Sequence, residues 1–338
     1  MTSTRTPLHI GARIEDAIQR LRQRRGVRRG LVPTVVPFTG YGGTGWVRVL
    51  GRVVLKRPVD ADAPPEEFRG IRGWRSFTSV HVPGVEVTVT SGRTRRTIRA
   101  DRGGVLDAHI ELKLPPGSHR ITLTIEGGPA VEAPVFIVAD DARFGLVSDI
   151  DDTVMVTALP RPFIAAWNTF VLDEHARTPV AGMAVLYERI LAAHPGAPVV
   201  YLSTGAWNVA PTLTRFLSRN LYPTGALLLT DWGPTHDRWF RSGPEHKRTN
   251  LERLAEEFPG IRWLLVGDDG QHDEAIYSEF ADAHPGNVAA VAIRQLTTGE
   301  AVLAGGRSGG EPHRGDIPWL YGPDGSELSE ELTRIGLL

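Results

Sequence analysis

The pattern of apolar and polar positions changes near residue 139. Before that point, short runs such as Val85–Val89 and Ile121–Ile125 alternate between apolar and polar residues, and turns rich in Gly and Pro separate them. Alternation with a period of two is typical of half-buried antiparallel strands. The pattern therefore predicts a mostly antiparallel β-sandwich over residues 31–138.

The segment before this domain has a helical pattern. Ile10, Ile14, Ile18 and Leu21 recur at near-helical spacing, and arginines fill many of the positions between them. This spacing predicts a basic amphipathic helix within residues 1–30. Its apolar stripe could pack on its own domain or lie on an anionic lipid surface.

Beyond residue 139, apolar runs alternate with stretches of helical periodicity. The apolar runs predict buried strands at 144–147, 198–202, 226–229 and 261–266. Helices are predicted around 183–191 and 251–258. Because alternating strands and helices form parallel sheets, we predict an α/β domain with a Rossmann-like parallel sheet over 139–300. A Gly-rich tail is expected over 301–338.

Composition narrows the class of protein. Of the 338 residues, 41% are hydrophobic and 23% are charged, which suffices for a folded core. The chain contains no cysteine, so disulfide scaffolds, thiolate zinc sites and cysteine nucleophiles are excluded. No apolar run approaches the roughly 20 residues needed to span a bilayer, and we expect a cytoplasmic protein.

The net charge of −1 conceals two parts of opposite sign. Residues 1–138 carry 22 basic and 12 acidic side chains, whereas residues 139–338 carry 16 and 27. Such a split indicates two domains with different partners. We expect the basic part to be attracted to an anionic membrane surface. The protein would then associate peripherally with the inner face of the membrane. Its arginines are not interleaved with a recognisable reading motif, so no nucleic-acid partner is expected.

A cluster of carboxylates follows the first strand of the α/β domain. Asp149, Asp151 and Asp152 lie within four residues, and their mutual repulsion would be relieved by a cation. A calcium-binding EF-hand loop does not fit, because Val154 stands where that loop needs Gly and Pro160 where it needs Glu. A Mg²⁺ site fits better, and a solvated acidic turn is the alternative.

Polar residues follow the other predicted strands as well. Ser203 and Thr204 come after the second strand, and a second carboxylate cluster, Asp268 to Asp273, follows the last of them. Lys247 opens the predicted helix that precedes this cluster, and it is one of only three lysines in the chain. A lysine ammonium is a compact charge suited to a phosphate or to a group of carboxylates.

This ordered set of DxDxT, Ser, Lys and a final Asp cluster resembles the haloacid dehalogenase superfamily of phosphatases and phosphotransferases. Longer strings resemble one branch, the actin-patch-associated phosphatidate phosphatase family. These strings are SDIDDTV (148–154), RTPVAGM (177–183), VVYLSTGAWN (199–208), the His-Lys pair at 246–247 and LLVGDDGQHDEAIY (264–277). The resemblance covers roughly residues 140–295. It implies a haloacid-dehalogenase-type fold for the α/β domain.

The resemblance also implies the role of four residues. Asp149 would be the nucleophile that takes the phosphoryl group as an aspartyl phosphate. Asp151 would be the general acid for the leaving oxygen and then the base for the attacking water. Ser203 would hold the phosphoryl group, and Lys247 would balance charge on Asp149 and on the transition state.

A Mg²⁺ cofactor is implied in the same way. The ligands would be the Asp149 carboxylate, the Asp151 backbone carbonyl and Asp268. Asp273 would orient Lys247 or the water shell of the metal. These assignments rest on the resemblance and predict a phosphoric monoester hydrolase.

Two positions depart from the family pattern. Asp269 stands where the superfamily often has Ser, so either Asp268 or Asp269 could contact the metal. The Ser-Pro expected before Trp in close relatives is missing, which leaves Thr204 as an alternative to Ser203 for the phosphoryl group. Thr153, the last residue of DxDxT, completes the set of candidate site residues.

The spacing of the motifs bears on the substrate. Only about 44 residues separate Thr153 from the strand at Pro198, which is too few for a large independent cap domain, so an open site is expected. An open site suits a phosphate on a bulky body, and the resemblance points to a lipid phosphate such as phosphatidate. Six aromatic residues could line an acyl-accepting rim: Trp167, Phe170, Trp207, Trp232, Trp239 and Phe240.

Two other functions stay open. The same chemistry could act on a soluble phosphate ester or a phosphoprotein. Alternatively, the basic β-domain could be an adaptor for a lipid surface, with catalysis secondary. The oligomeric state does not follow from the sequence.

Overall fold

The computed structural model describes residues 10–58, 80–156, 178–230, 243–270, 272–303, 306 and 315–338. They form an N-terminal helix and a β-domain, followed by an α/β domain. None of the helices in these ranges is both long enough and apolar enough to cross a membrane.

The β-domain consists of eight strands that follow helix α1 (Ile10–Arg28). In chain order they are β1 (Val32–Pro37), β2 (Gly40–Gly43), β3 (Trp46–Lys56), β4 (Glu86–Ser91), β5 (Thr94–Arg99), β6 (Val105–Glu111), β7 (Gly117–Thr124) and β8 (Val131–Ile137).

These strands form one hydrogen-bonded sheet rather than the two separate sheets of a sandwich. The order is β1-β3-β2-β8-β7-β4-β5, and β6 pairs with β3. All pairs are antiparallel except β2 with β8, which confirms the mostly antiparallel arrangement. Val87, Val89, Ile121 and Leu123 are buried in one core, to which strands at both ends of this order contribute. The period-two alternation therefore identified the inward-facing side chains correctly.

The α/β domain is built on six parallel strands. They are β9 (Phe144–Asp149), β12 (Val199–Ala206), β13 (Ala226–Thr230), β14 (Arg262–Asp268), β15 (Val288–Arg294) and β16 (Trp319–Gly322), and their order in the sheet is β13-β12-β9-β14-β15-β16. A two-stranded hairpin, β10 (Met155–Val156) and β11 (Thr178–Pro179), is separate from this sheet. The predicted parallel sheet is confirmed.

Six helices accompany this sheet in the described residues. They are α2 (Met183–Ala193), α3 (Ala210–Arg219), α4 (Gly243–Glu257), α5 (Asp273–Ala283), α6 (Thr298–Leu303) and α7 (Gly325–Arg334). The helices predicted around 183–191 and 251–258 correspond to α2 and α4. Helix α4 begins earlier than its apolar periodicity, because its first two turns carry polar residues.

The prediction of a tail over 301–338 is wrong for the last part of the chain. Strand β16 pairs in parallel with β15, and Leu328 and Leu332 of α7 are completely buried in the core of the α/β domain. Asp324 caps α7 by accepting hydrogen bonds from the backbone N–H groups of Ser326 and Glu327, at 2.8 and 3.3 Å. An Asp followed by Glu three residues later is a helix-start signal that could have revealed this element.

The two domains share apolar packing. Phe38, Tyr41 and Leu50 of the β-domain belong to the same buried cluster as the core of the α/β domain. Phe38 stacks on Trp207, which directly follows β12, with ring centroids 5.1 Å apart. The β-domain therefore packs against the α/β domain, rather than being joined to it by a linker alone.

A partly buried carboxylate, Glu257, ties the end of α4 to the β-domain. It accepts a hydrogen bond from the Tyr41 hydroxyl at 2.8 Å and from Arg48 Nε at 2.9 Å. Arg48 also forms an ion pair with Asp107 at 2.5 Å, so the guanidinium bridges two carboxylates. Because charge-assisted hydrogen bonds of partly buried groups are strong, this network holds α4 in place.

We predict that Glu257→Ala lowers the free energy of unfolding by about 2 kcal/mol, because it leaves Tyr41 and Arg48 without a shared acceptor. Urea unfolding followed by tryptophan fluorescence measures the change. Glu279→Ala, which breaks the exposed Arg248–Glu279 pair, is the matched control and should cost less than about 0.5 kcal/mol. Equal losses in the two variants would show that Glu257 does not tie the domains together.

Candidate active site

The candidate site lies where three neighbouring parallel strands end. Strand β9 is flanked by β12 and β14, and the register places Leu202 beside Asp149. Ser203 is therefore the next residue along β12, and Asp268 is the last residue of β14. Because parallel strands present their carboxyl ends at one edge, residues from motifs far apart in sequence meet here.

A tight turn after β9 positions the first carboxylates. The N–H groups of Val154 and Met155 both donate to the Ile150 carbonyl at 3.1 Å. Asp152 has a left-handed φ of 59°, which is uncommon for a residue other than glycine. Thr153 is fully buried, and its hydroxyl donates to Asp149 Oδ2 at 3.3 Å. The turn thus keeps Asp149 and Asp151 at the same edge of the sheet.

Lys247 is buried between two carboxylates. Its Nζ lies 2.6 Å from Asp149 Oδ1 and 2.5 Å from Asp273 Oδ1. Burial alone would disfavour the ammonium, but the charges of Asp149 and Asp273 outweigh it and raise the pKa of Lys247. The lysine therefore keeps its positive charge beside Asp149, as the sequence analysis expected, and Asp273 orients it.

Asp151 and Ser203 form the second pair. The Ser203 hydroxyl donates to Asp151 Oδ2 at 3.0 Å and accepts from the Gly205 N–H at 3.0 Å. Burial, followed by the negative charge of Asp152, raises the pKa of Asp151 to about 7. A carboxyl group with such a pKa can give up and take up a proton near neutral pH, as general acid–base catalysis requires.

The neighbouring candidates face elsewhere. Thr204 packs its methyl group close to Gly243 at the start of α4, where an added Cβ would lie 2.6 Å from it. Asp269 Oδ1 accepts from the Leu296 N–H at 2.8 Å, and so it fastens the segment after β15. Of the two adjacent hydroxyl residues, Ser203 is therefore the one bonded to Asp151. Of the two adjacent carboxylates, Asp268 is the one that lies in a cluster with Asp149.

A cation would fit this group of side chains. Asp149, Asp268 and Asp273 are buried and offer carboxylate oxygens within 4.8 Å of one another. Burial raises the pKa of Asp149 and Asp268, as expected for carboxylates whose charge Lys247 balances only in part. Asp151 Oδ1 and Asp273 Oδ2 are buried without a hydrogen-bond partner among the described residues. Buried carboxylates with unused oxygens are suitable ligands for a hard divalent cation.

The metal-ligand set predicted from the sequence overlaps this cluster in Asp149 and Asp268. The third carboxylate of the cluster is Asp273, whose Oδ1 also forms an ion pair with Lys247. The side chain of Asp151 is not part of the cluster and accepts a hydrogen bond from Ser203. The predicted contribution of Asp151 is its backbone carbonyl, and this stays a prediction.

Most of the predicted aromatic rim lies outside the described residues, namely Trp167, Phe170, Trp232, Trp239 and Phe240. The sixth member, Trp207, is buried and stacks on Phe38 of the β-domain. For Trp207 the assignment to an acyl-accepting rim is therefore wrong, because its ring fills the contact between the two domains.

The sequence analysis missed Arg294, a buried residue at the end of β15. Its Nη1 donates to the Asp152 carbonyl at 2.7 Å, its Nη2 to Glu300 at 2.8 Å and its Nε to the Pro323 carbonyl at 3.2 Å. The guanidinium thereby connects the turn after β9 to α6 and to the segment between β16 and α7. Only an Arg can reach three acceptors with one planar group. No local pattern marks this residue, since its partners are distant in sequence.

Comparison with known proteins assigns a class to the α/β domain. Residues 144–295, which contain all of the candidate catalytic residues and Arg294, match the family model described as "Phosphatidate phosphatase APP1, catalytic domain". This is a family of phosphoric monoester hydrolases, so the predicted enzyme class is confirmed at the level of the family. The match falls on the α/β domain and includes the motifs that carry the resemblance seen in the sequence.

Two curated relatives match part of the chain. The phosphatidate phosphatase APP1 of Saccharomyces cerevisiae is 26% identical over 153 residues, which is 44% of this chain and 25% of that protein. An uncharacterized protein of Schizosaccharomyces pombe is 25% identical over 161 residues, which is 47% of this chain and 26% of that protein. The chain thus matches only about a quarter of the length of these relatives.

Similarity to solved structures is low. The HAD domain of the effector protein Lem4 from Legionella pneumophila has a TM-score of 0.32 and 15% identity, and the match covers 46% of this chain and 86% of that one. A carbohydrate acetylesterase from Xanthomonas citri has a TM-score of 0.30 and 11% identity, with 81% of this chain and 73% of that chain covered. Such scores support no inference about fold or activity.

We predict that Arg294→Ala lowers the free energy of unfolding by about 3 kcal/mol, because it strips a buried ion pair of one partner and leaves two carbonyls without a donor. Arg294→Lys should lower the free energy of unfolding by less, since lysine keeps the positive charge although it lacks the planar guanidinium group. Urea unfolding measures both. Arg334→Ala, at an exposed arginine paired with Glu331, is the control and should change stability by less than about 0.5 kcal/mol. A loss for Arg294→Ala no larger than that of the control would contradict the assigned role.

Proposed function

We propose that this protein is a Mg²⁺-dependent phosphatase that hydrolyses a phosphomonoester through an aspartyl-phosphate intermediate, and that its substrate is a lipid phosphate such as phosphatidate. One observation carries the proposal. Lys247 is buried between Asp149 and Asp273, beside the Asp151–Ser203 pair, at the carboxyl ends of parallel strands. The strand order, with β9 in the interior of the sheet, supports a haloacid-dehalogenase-type arrangement of this domain.

In the first half-reaction, an Asp149 carboxylate oxygen attacks phosphorus. The bond from phosphorus to the ester oxygen breaks, and the departing oxygen takes its proton from Asp151. The pKa of about 7 allows Asp151 to hold that proton at the start. Lys247 offsets the negative charge that nucleophile and phosphate bring together. The Ser203 hydroxyl, which lies beside Asp151, would hold a phosphoryl oxygen.

In the second half-reaction, water attacks the phosphorus of the aspartyl phosphate. Asp151, now ionised, takes a proton from this water as its oxygen bonds to phosphorus. The bond between phosphorus and the Asp149 oxygen breaks, which regenerates the carboxylate and releases phosphate. The hydrogen bond from Ser203 helps to hold Asp151 in the orientation needed for both proton transfers.

Asp149 and Asp268 would hold Mg²⁺, together with the Asp151 backbone carbonyl implied by the family resemblance, while Asp273 lies close enough to bind it or its water. The ion, when bound, lowers the repulsion between phosphate and the carboxylates. The buried cluster of Asp149, Asp268 and Asp273 supports this assignment.

A lipid substrate and a peripheral position on the cytoplasmic face of a membrane are proposed on two grounds. The matched relative from Saccharomyces cerevisiae is named a phosphatidate phosphatase. The β-domain carries the excess of positive charge, which suits an anionic lipid surface. The apolar packing that the two domains share argues against the alternative of an independent adaptor domain.

We predict that the purified chain with Mg²⁺ releases phosphate from phosphatidate in mixed micelles, and that Asp149→Asn reduces this rate by at least about 10³-fold because it removes the nucleophile. Asp282→Asn makes the same chemical change on the exposed side of α5 and should keep the wild-type rate. Circular dichroism verifies that both variants are folded.

A panel of soluble phosphate esters, including a sugar phosphate and a phosphopeptide, is measured alongside. Faster hydrolysis of a soluble ester than of phosphatidate would refute the lipid substrate while keeping the chemistry. Full activity of Asp149→Asn would refute the mechanism.

A further inference from the structure

Helix α1 has two opposite faces. Gln19, Gln23 and Gly26, at i, i+4 and i+7, face the β-domain: both glutamine side chains donate to the His81 carbonyl, at 2.9 and 2.8 Å, and Gly26 is buried against Leu55. The helix therefore packs on its own domain through this polar and small face. Of the predicted apolar stripe, Leu21 is the member whose side chain the structure describes, and it is exposed.

The opposite face of α1 is exposed and basic. Leu21, Arg24, Arg25 and Arg28 recur at i, i+3, i+4 and i+7, so they lie on one side of the helix. Leu21 is 49% exposed, and Val27, on the flank, is 58% exposed. Large apolar side chains among arginines are typical of helices that lie in the interface of a membrane.

A second group of arginines lies on the hairpin of β4 and β5. Arg93, Arg95, Arg96 and Arg99 are all exposed and fall within seven residues. Among the described residues, none of the four forms an ion pair, and β5 is hydrogen-bonded to β4 only. Several exposed arginines elsewhere are paired with acids, namely Arg120 with Glu132, Arg248 with Glu279 and Arg334 with Glu331. Others, such as Arg143 and Arg262, donate to backbone carbonyls, but they do not form a group. A single charged side chain is enough to protect the edge strand of a sheet from aggregation. Four arginines on this hairpin exceed that need and point to an anionic ligand.

The segment at 80–84 joins the two groups. Its His81 carbonyl receives the α1 glutamines, and three residues later the Gly84 carbonyl accepts from Arg99 Nε at 2.9 Å. Three residues span at most about 11 Å, so α1 and β5 flank the same short stretch of chain. The pKa of His81 is lowered to about 4, first by burial and then by the charges of Arg52, Arg22 and Arg102. Arg52, Arg22 and Arg102 thus act on the segment between the two groups.

We propose that the exposed side of α1 and the β4–β5 hairpin form one arginine-rich face that docks on an anionic lipid bilayer. Guanidinium groups match phosphate oxygens in a bidentate geometry, which suits lipid headgroups. Single-stranded nucleic acid would favour aromatic stacking platforms. In the described part of the chain, this face presents the apolar side chain of Leu21, with Val27 on its flank, and these can enter the headgroup region. This inference rests on the proposed function only in its choice of a membrane substrate.

The test uses the full chain and sedimentation with two kinds of vesicle, phosphatidylcholine alone and phosphatidylcholine with phosphatidylserine. Phosphatidylserine carries no phosphomonoester, so binding reports docking and not occupation of the active site. Wild-type protein should bind the anionic vesicles only, and less as salt is raised.

Two triple variants remove equal charge from the two parts of the face. They are Arg24→Gln/Arg25→Gln/Arg28→Gln on the helix and Arg93→Gln/Arg95→Gln/Arg96→Gln on the hairpin. Each should weaken binding about 100-fold, since each arginine near an anionic surface contributes roughly fivefold. The matched control, Arg120→Gln/Arg248→Gln/Arg334→Gln, removes the same charge from paired arginines and should bind within about threefold of wild type.

Equal weakening by the control would show that only net charge matters and would overturn the proposal. Retention of binding by either triple variant would overturn the single face. Binding of the wild type to single-stranded RNA but not to the anionic vesicles would overturn the choice of a lipid bilayer. Hydrolysis of a soluble phosphate ester by the triple variants should equal that of wild type. If neither the wild type nor any variant hydrolyses phosphatidate but vesicle binding is as predicted, the proposed function is wrong and the docking face is supported.

Discussion

The ion pairs of Lys247 are the interaction on which the rest of the site depends. One buried ammonium lies between Asp149 and Asp273, in a region that also contains Asp151 and Asp268. Several carboxylates buried together would otherwise lose their charge or drive the strand ends apart, because burial and mutual repulsion both penalise ionisation. The lysine stabilises part of this charge, and the remainder would be offset by a divalent cation. This excess of buried negative charge is the physical basis of the proposed metal site.

The positions of these groups follow from the parallel sheet. Strands β12, β9 and β14 bring Ser203, Asp149 and Asp268 to one edge, and α4 supplies Lys247 from its second turn. The other end of α4 is held by Glu257, which accepts hydrogen bonds from Tyr41 and Arg48 of the β-domain. The β-domain therefore has two roles in this account: one side steadies the helix that carries the lysine, and the other presents an arginine-rich surface.

Much of this arrangement could be predicted from the sequence, because the rule that polar residues at the ends of apolar strands meet at one edge needs only local patterns. That rule identified Asp149, Ser203 and Asp268 as neighbours, and the family resemblance added Lys247. It could not find Arg294, whose acceptors lie on three separate segments, and it could not choose between adjacent residues such as Asp268 and Asp269. Strand β16 was missed because four residues after a Gly-rich stretch give too short an apolar signal, although pairing with β15 and burial of α7 make it part of the sheet.

The most direct test of the central claim is calorimetric titration of Mg²⁺ into the purified, metal-free chain. Wild type and Asp269→Asn should bind one ion, because the Asp269 side chain is engaged with the Leu296 N–H. Asp268→Asn should bind at least about tenfold more weakly, since it removes a ligand oxygen from the cluster formed with Asp149 and Asp273. Absence of Mg²⁺ binding in wild type, or loss of binding in Asp269→Asn with retention in Asp268→Asn, would contradict the account.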